Sequence, residues 1–174
     1  MTEGSDEVAG IELTLRPREL LRHWQRCGQT ADWIASYLVH DFDPNARVGA
    51  KNVFSTVINE LLENAVKFCT DEPIDIKIAV HHHGGLVRIE TWNTASDARA
   101  RLLEETLEDL GRSTTDSMFA RRVAIGSDTD APGIGLLIIK RDYGARIDAV
   151  LTPRKDGARD VHVTVELDVT VPTE

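Results

Sequence analysis

Apolar residues change period several times along the chain, and each change marks an element. "IELTL" alternates apolar and polar residues, which predicts a short strand that ends before Pro17. Between Arg18 and Val39, Leu20, Leu21, Trp24, Trp33, Ile34, Tyr37 and Leu38 recur at helical spacing, and Gly28 falls where it predicts a break into two helices. "DFDPNAR" carries turn chemistry. A long amphipathic helix is predicted from about Val48 to Cys69, stopped by "TDEP", because proline disfavours helical geometry in the residue before it. "IDIKIAV" and "LVRIETW" then alternate on either side of "HHHGG", the pattern of a hairpin with one face on a core. Leu102, Leu103, Leu107 and Leu110 line one side of a helix over Asp97 to Leu110. The Ser/Thr-rich segment after it, and the whole stretch from about Arg112 to Asp130, is expected to act as a mobile lid. "DTDAPGIG" reads as a loop, "LLIIKRDY" as a short helix that Gly144 caps, and "ARIDAVL" with "VHVTVELDV" as a second hairpin around "TPRKDGA".

That order of elements predicts an α+β fold, a two-layer sandwich with helices on one face of a sheet. Residues 1–10 are polar, acidic and aperiodic and are expected to form a flexible N-terminus, with residues 11–174 as a single domain. Composition narrows the function more than the fold. The formal net charge is −9 and the pI near 5.1. Such a surface argues against nucleic acid and anionic membranes, both of which are drawn to basic patches. Cys27 and Cys69 are too few for a disulfide framework, and reduced thiols fit a cytoplasmic protein. No stretch approaches the roughly 20 apolar residues that span a bilayer, so no direct membrane insertion is expected.

The candidate chemistry sits on the long helix. In "NELLENAVKF" a helical repeat of about 100° per residue brings Glu60, Asn64 and Lys67 within about 60° of one another. Phe54, Val57, Ile58, Leu61, Leu62 and Ala65 occupy the apolar arc beside them, which places the polar stripe at the edge of the buried face, where a pocket wall belongs. An interior asparagine costs a helix about half a kcal/mol relative to alanine, a hint of another use. A solvated helix flank is the plainer reading of the three residues by themselves. A second element is "GIG", Gly133-Ile134-Gly135, immediately before an apolar helix. The free N–H groups of a helix start, approached past side-chain-free glycines, cradle phosphate oxygens. Taken alone, that tripeptide is more simply a flexible turn.

Together the elements resemble the GHKL ATPase superfamily, named for its gyrase-type, chaperone, histidine-kinase and mismatch-repair members. "NELLENAVKF" is similar to its N-box and "PGIGLLIIK" to its second glycine box, over roughly Val48 to Val169. The resemblance implies the Bergerat form of the sandwich, with a mixed sheet, and an ATP site. Asn64 would bind the Mg²⁺ that bridges the phosphates, and Glu60 would be the general base. Lys67, Gly133, Ile134 and Gly135 would meet the nucleotide. Glu60 stands where sensor histidine kinases usually carry asparagine, which tilts the likeness toward anti-sigma-factor serine kinases. "HWQRCGQTADWIASYL" and "GIGLLIIKRDYGARI" are further similar to small stand-alone bacterial regulators related to the SiaB-type kinases of partner-switching pathways. One departure is plain. The first glycine box, expected near residue 93, reads "ETWNTASDA" without a glycine, leaving Asn93 in place of the usual adenine-binding aspartate.

Two functions follow. The first is a protein serine/threonine kinase using ATP and Mg²⁺ on a small STAS-like or SiaC-like antagonist protein, with Glu60 as proton acceptor. The second is a non-catalytic module that binds a partner or homodimerises, with nucleotide as a switch or absent. Three further features invite weaker readings. The triplet His81 to His83 lies at the expected hairpin turn, where alternation sends neighbouring side chains apart and disfavours a metal site. Arg121 and Arg122 are candidates to reach a γ-phosphate from the lid. The run Ser113 to Thr115 suits a loop or cap better than a phosphorylation site.

Overall fold

The computed structural model describes residues 9–70, 74–112 and 134–169. In chain order these form β1 (Ala9–Leu15), α1 (Pro17–Arg22), α2 (Gln25–Leu38), a short 3-10 turn (Val39–Asp41) and α3 (Arg47–Phe68). After them come β2 (Ile76–His83), β3 (Leu86–Ser96), α4 (Asp97–Arg112), α5 (Ile134–Tyr143), β4 (Arg146–Pro153) and β5 (Ala158–Asp168). The α+β class and the helices and hairpins read from periodicity are present. The expected lid, Arg121, Arg122, the serine and threonines at 113–115 and Gly133 lie outside the described residues.

The strands form one sheet in the order β1-β2-β3-β5-β4, with every neighbouring pair antiparallel. The expected mixed sheet is therefore corrected. β3 and β4 run in the same direction and would pair parallel if adjacent, but β5 returns from β4 and inserts between them. The β4–β5 connection is closed by the Arg154 N–H on the Ala158 carbonyl at 2.9 Å, with Gly157 at φ 81°. Gly84 and Gly85 hold φ of 56° and 87°, the left-handed pair that a two-residue hairpin turn requires. The three histidines consequently belong to β2 rather than to the turn. His82 stacks on Phe42 at 4.8 Å, while His81 lies against Gly10, itself part of β1.

Strand parity divides the sheet into two faces. Inward residues such as Ile11, Leu13, Ile76, Ile78, Val87, Ile89, Val165 and Leu167 join the core. The opposite face is polar: Arg88 and Arg146 both pair with Glu166, at 2.6 and 3.0 Å, and His162 meets Glu90 at 3.0 Å while stacking on Trp92. Helix α3 covers the inner face, burying Phe54, Val57, Ile58, Leu61, Leu62, Ala65 and Val66. The turn ahead of it is held by the Asn45 N–H on the Asp43 carboxylate at 2.8 Å. It stops at Phe68 because Cys69 becomes extended, bridges Ala95, and passes the chain to Thr70, whose N–H reaches the Thr94 carbonyl at 3.0 Å.

Helix α2 packs on α3 through Cys27, Ala31, Ile34, Ala35 and Leu38, at intervals of one and two turns. The helical region does divide, but at His23 and Trp24 and not at Gly28. Gly28 continues the helix, and a β-carbon there would lie 3.7 Å from Asn59 Oδ1, in ordinary contact with α3.

Phe54 is fully buried and sits edge-on to Phe42 with ring centroids 5.4 Å apart. Phe54→Ala is expected to cost about 3–5 kcal/mol of stability, as transfer and cavity terms add for a core aromatic. Urea unfolding checks this; a loss below about 1 kcal/mol would remove α3 docking from the centre of the fold.

Candidate functional site

The C-terminal half of α3 borders a cavity that also takes walls from β3, α4, α5 and β5. Asn64, Ala65 and Phe68 line it from α3, with Thr91, Asn93 and Ala95 from β3, and Val161 and Val163 from β5. Arg99, Ala100 and Leu103 of α4 and Leu136 of α5 close it. Two residues distant in sequence, Asn64 and Asn93, therefore share one small space. About 20 Å³ of it is open to the centre of a water molecule, room for roughly one water.

Asn64 is half-buried, and its Nδ2 is an orphan, a buried donor with no hydrogen-bond acceptor among the described residues. Leaving such a donor unpaired costs about 1–3 kcal/mol. The carboxamide offers two useful atoms, a hard oxygen that suits Mg²⁺ and an N–H₂ that suits a phosphate or water oxygen. Asn93 is buried at 7% exposure and belongs to the inward parity of β3.

Glu60 lies one turn before Asn64 and is pressed against the first turn of α5. A β-carbon built on Gly135 would fall 2.9 Å from the Glu60 carboxyl carbon, so a larger residue there would push the flexible end of Glu60 aside. The start of a helix favours an anion, and here the Glu60 carboxylate takes that position. Burial pushes the Glu60 pKa above its ordinary value, the nearby Glu63 pushes it further, and Lys67 opposes them. Ile134 opens α5 beside Gly135.

The structure does not bring Lys67 to the cavity. Its ammonium lies 3.8 Å from Glu63 and 5.5 Å from the Trp24 ring centroid, toward α2 rather than toward Asn93. Sequence reasoning missed Thr91 and Arg99. Thr91 was detectable, since it is a second polar residue, beside Asn93, on the inward parity of β3 and is only 1% exposed. Arg99 carried no such sign; its guanidinium donates to the Cys69 carbonyl, tying α4 to the end of α3.

No protein-family model matches the sequence, and no curated protein matches it. Among solved structures, the fold is similar to a chain in the crystal structure of the SiaB–SiaC complex from Pseudomonas aeruginosa, with a TM-score of 0.66 and 14% sequence identity. The match covers 93% of this chain and 92% of that one, so the likeness extends over the whole fold. Among the described residues no helix is long and apolar enough to cross a membrane.

A pH-dependent stability follows from Glu60. Its folded pKa lies above the unfolded one, so ionising it opposes folding: the penalty is absent below the ordinary carboxylate range and grows as pH rises through that range to the raised folded value. Glu60→Gln removes the penalty. The variant is expected to gain stability on the wild type as pH rises through this window and to hold that margin above it. Denaturant unfolding across a pH series tests the sign, and a margin that shrinks with rising pH would contradict the environment described for Glu60.

Proposed function

We propose that the chain is an ATP- and Mg²⁺-binding regulator of the GHKL type, acting as a protein serine/threonine kinase on a small partner protein in a bacterial partner-switching pathway. The observation that carries the reading is the gathering of Glu60, Asn64, Asn93 and Gly135 at one end of α3, from three separate elements. Asn64 would hold the metal through its carboxamide oxygen, and its unpaired Nδ2 would meet a phosphate oxygen. Gly133, Ile134 and Gly135 would present the helix start to the phosphates, and Asn93 would receive the adenine edge. When bound, Mg²⁺ would neutralise charge on the phosphate oxygens, which is most of what phosphoryl transfer requires beyond positioning. Glu60 accepts the proton of the attacking hydroxyl in this reading, and its raised pKa moves it toward the neutral range in which a general base works best. The whole-length likeness to a chain from a SiaB–SiaC complex supports a SiaC-like or STAS-like protein as the acceptor.

A specific observation favours the second reading, a non-catalytic partner-binding module. The cavity between Asn64 and Asn93 is water-sized, and the end of β3 lacks the glycines that would open it. An adenine ring enters only if its walls move.

Calorimetry with ATP, with and without Mg²⁺, separates the two. Binding that depends on Mg²⁺ and is lost in Asn64→Ala supports the kinase reading, whereas no heat with any adenine nucleotide would remove nucleotide from the function.

Glu60→Gln tests the chemistry. It keeps size and hydrogen-bonding reach while removing the proton acceptor, so nucleotide affinity is expected to stay close to wild type while phosphoryl transfer to a co-purified partner falls about 10²-fold or more. Undiminished transfer would take Glu60 out of the mechanism.

A further inference from the structure

The cavity between α3 and the sheet has a polar floor. Thr91 and Asn93 stand there at 1% and 7% exposure, on a strand hydrogen-bonded on both sides, to β2 and β5. The sheet therefore fixes the floor, while Leu103 and Leu136 in the opposing walls come from helices α4 and α5. Neither the Thr91 hydroxyl nor the Asn93 carboxamide forms a hydrogen bond among the described residues. Polar groups buried this deeply are normally paired, so two unpaired ones at one spot point to an occupant that satisfies them. Among the described residues no carboxylate lines the cavity, and its one charged side chain, Arg99, already donates to the Cys69 carbonyl. Leu61, Ala65, Val161 and Val163 supply apolar surface suited to the face of a ring.

We propose that this floor reads the 6-position of a purine and takes a 6-oxo purine nucleoside triphosphate as readily as a 6-amino one. The proposal rests on the nucleotide reading of the site and adds the class of base. Adenine presents an acceptor at N1 and a donor at its 6-amino group, whereas hypoxanthine and guanine present a donor at N1 and an acceptor at O6. A carboxylate on the floor could only accept, and would repel O6. The Asn93 carboxamide carries both an acceptor oxygen and a donor nitrogen, and turning it over exchanges them; the Thr91 hydroxyl likewise donates or accepts. No hydrogen bond among the described residues holds either side chain to one of its two roles. The phosphates stay away from the floor, because a polyanion beside Val161 and Val163 would be desolvated with no free cation to meet it. Asn64 and Gly135 are only half-buried, and the charged part of the nucleotide belongs on their side.

The test is calorimetry of the full chain at about pH 8 with Mg²⁺ and three triphosphates that differ only at the base edge: ATP, ITP and purine riboside triphosphate, which carries hydrogen at the 6-position. ATP and ITP are expected to bind within about tenfold of each other. The unsubstituted purine is expected to bind about tenfold or more weaker than either, the loss that an unmet buried polar group gives. Asn93→Asp leaves only acceptors and is expected to weaken ITP about tenfold or more relative to ATP, with circular dichroism confirming the fold. The wild-type comparison needs no variant to fold. A wild-type preference between ATP and ITP beyond about tenfold, an unsubstituted purine that binds as well as both, or a ratio that Asn93→Asp leaves unchanged would each overturn the inference while nucleotide binding stands. Binding of none of the three would remove the nucleotide reading itself, and this inference with it.

Discussion

The candidate site is positioned by one contact, the burial of the apolar face of α3 against the inner side of the sheet. Leu61, Leu62 and Ala65 are locked into the core beneath the helix, each at 3% exposure or less. A helix fixed at those positions has no freedom left about its own axis. Glu60 and Asn64 must then emerge at the boundary between core and surface, Glu60 toward α5 and Asn64 toward β3. Neither placement needs a contact made by the polar residues themselves. The hydrophobic packing supplies the precision, and the polar atoms are carried along with it, one of them at the cost of an unpaired donor.

The sheet supplies the other wall by an equally mechanical rule. Inward parity on β3 runs Val87, Ile89, Thr91, Asn93 and Ala95, so the strand becomes polar at the point where α3 ends above it. Its partner β5 stays apolar, with Val163 opposite Thr91 and Val161 opposite Asn93. The inserted position of β5 thus has a local consequence: Thr91 and Asn93 have apolar inward neighbours on that side, and both line the cavity.

Much of this was legible along the chain, because hydrophobic period and turn chemistry are local signals. The α3 boundaries, the two hairpins, Gly144 after α5 and the apolar arc of α3 all came from such signals. What failed depends on non-local geometry. An antiparallel sheet cannot be told from a mixed one until the place of β5 is known. Glycine weakens helices in general and so predicts a break at Gly28, but Gly28 sits where α2 approaches α3 and stays helical, while the break falls at His23, whose φ of −135° leaves the helical region. The helical wheel put Lys67 with Glu60 and Asn64 by angle alone. A long flexible side chain follows the nearest carboxylate and ring, and Glu63 and Trp24 draw it away. The carboxylate of Glu60 against Gly135 joins residues 75 positions apart, a proximity no single-sequence pattern encodes.

Two departures from ordinary folding rules, an orphan amide at Asn64 and a buried, charge-crowded carboxyl at Glu60, occur one turn apart on the same helix. Thr106, by contrast, satisfies its buried hydroxyl on the Leu102 carbonyl at 2.8 Å. A single water in the cavity would satisfy Asn64 and make it a structural residue. That explanation does not extend to Glu60. Folding alone gains nothing from a carboxylate that is desolvated, set beside Glu63 and pressed on Gly135, and a leucine or glutamine would relieve the penalty. Local rules broken together, without a compensating gain in stability, mark the place where a sequence has been shaped by something other than its own fold. The groups concerned are a carboxamide on the cavity and a carboxyl set against the start of α5. The plain structural reading of α3 accounts for the first departure and leaves the second unexplained, and it is at the second that the proposed nucleotide site would add an account.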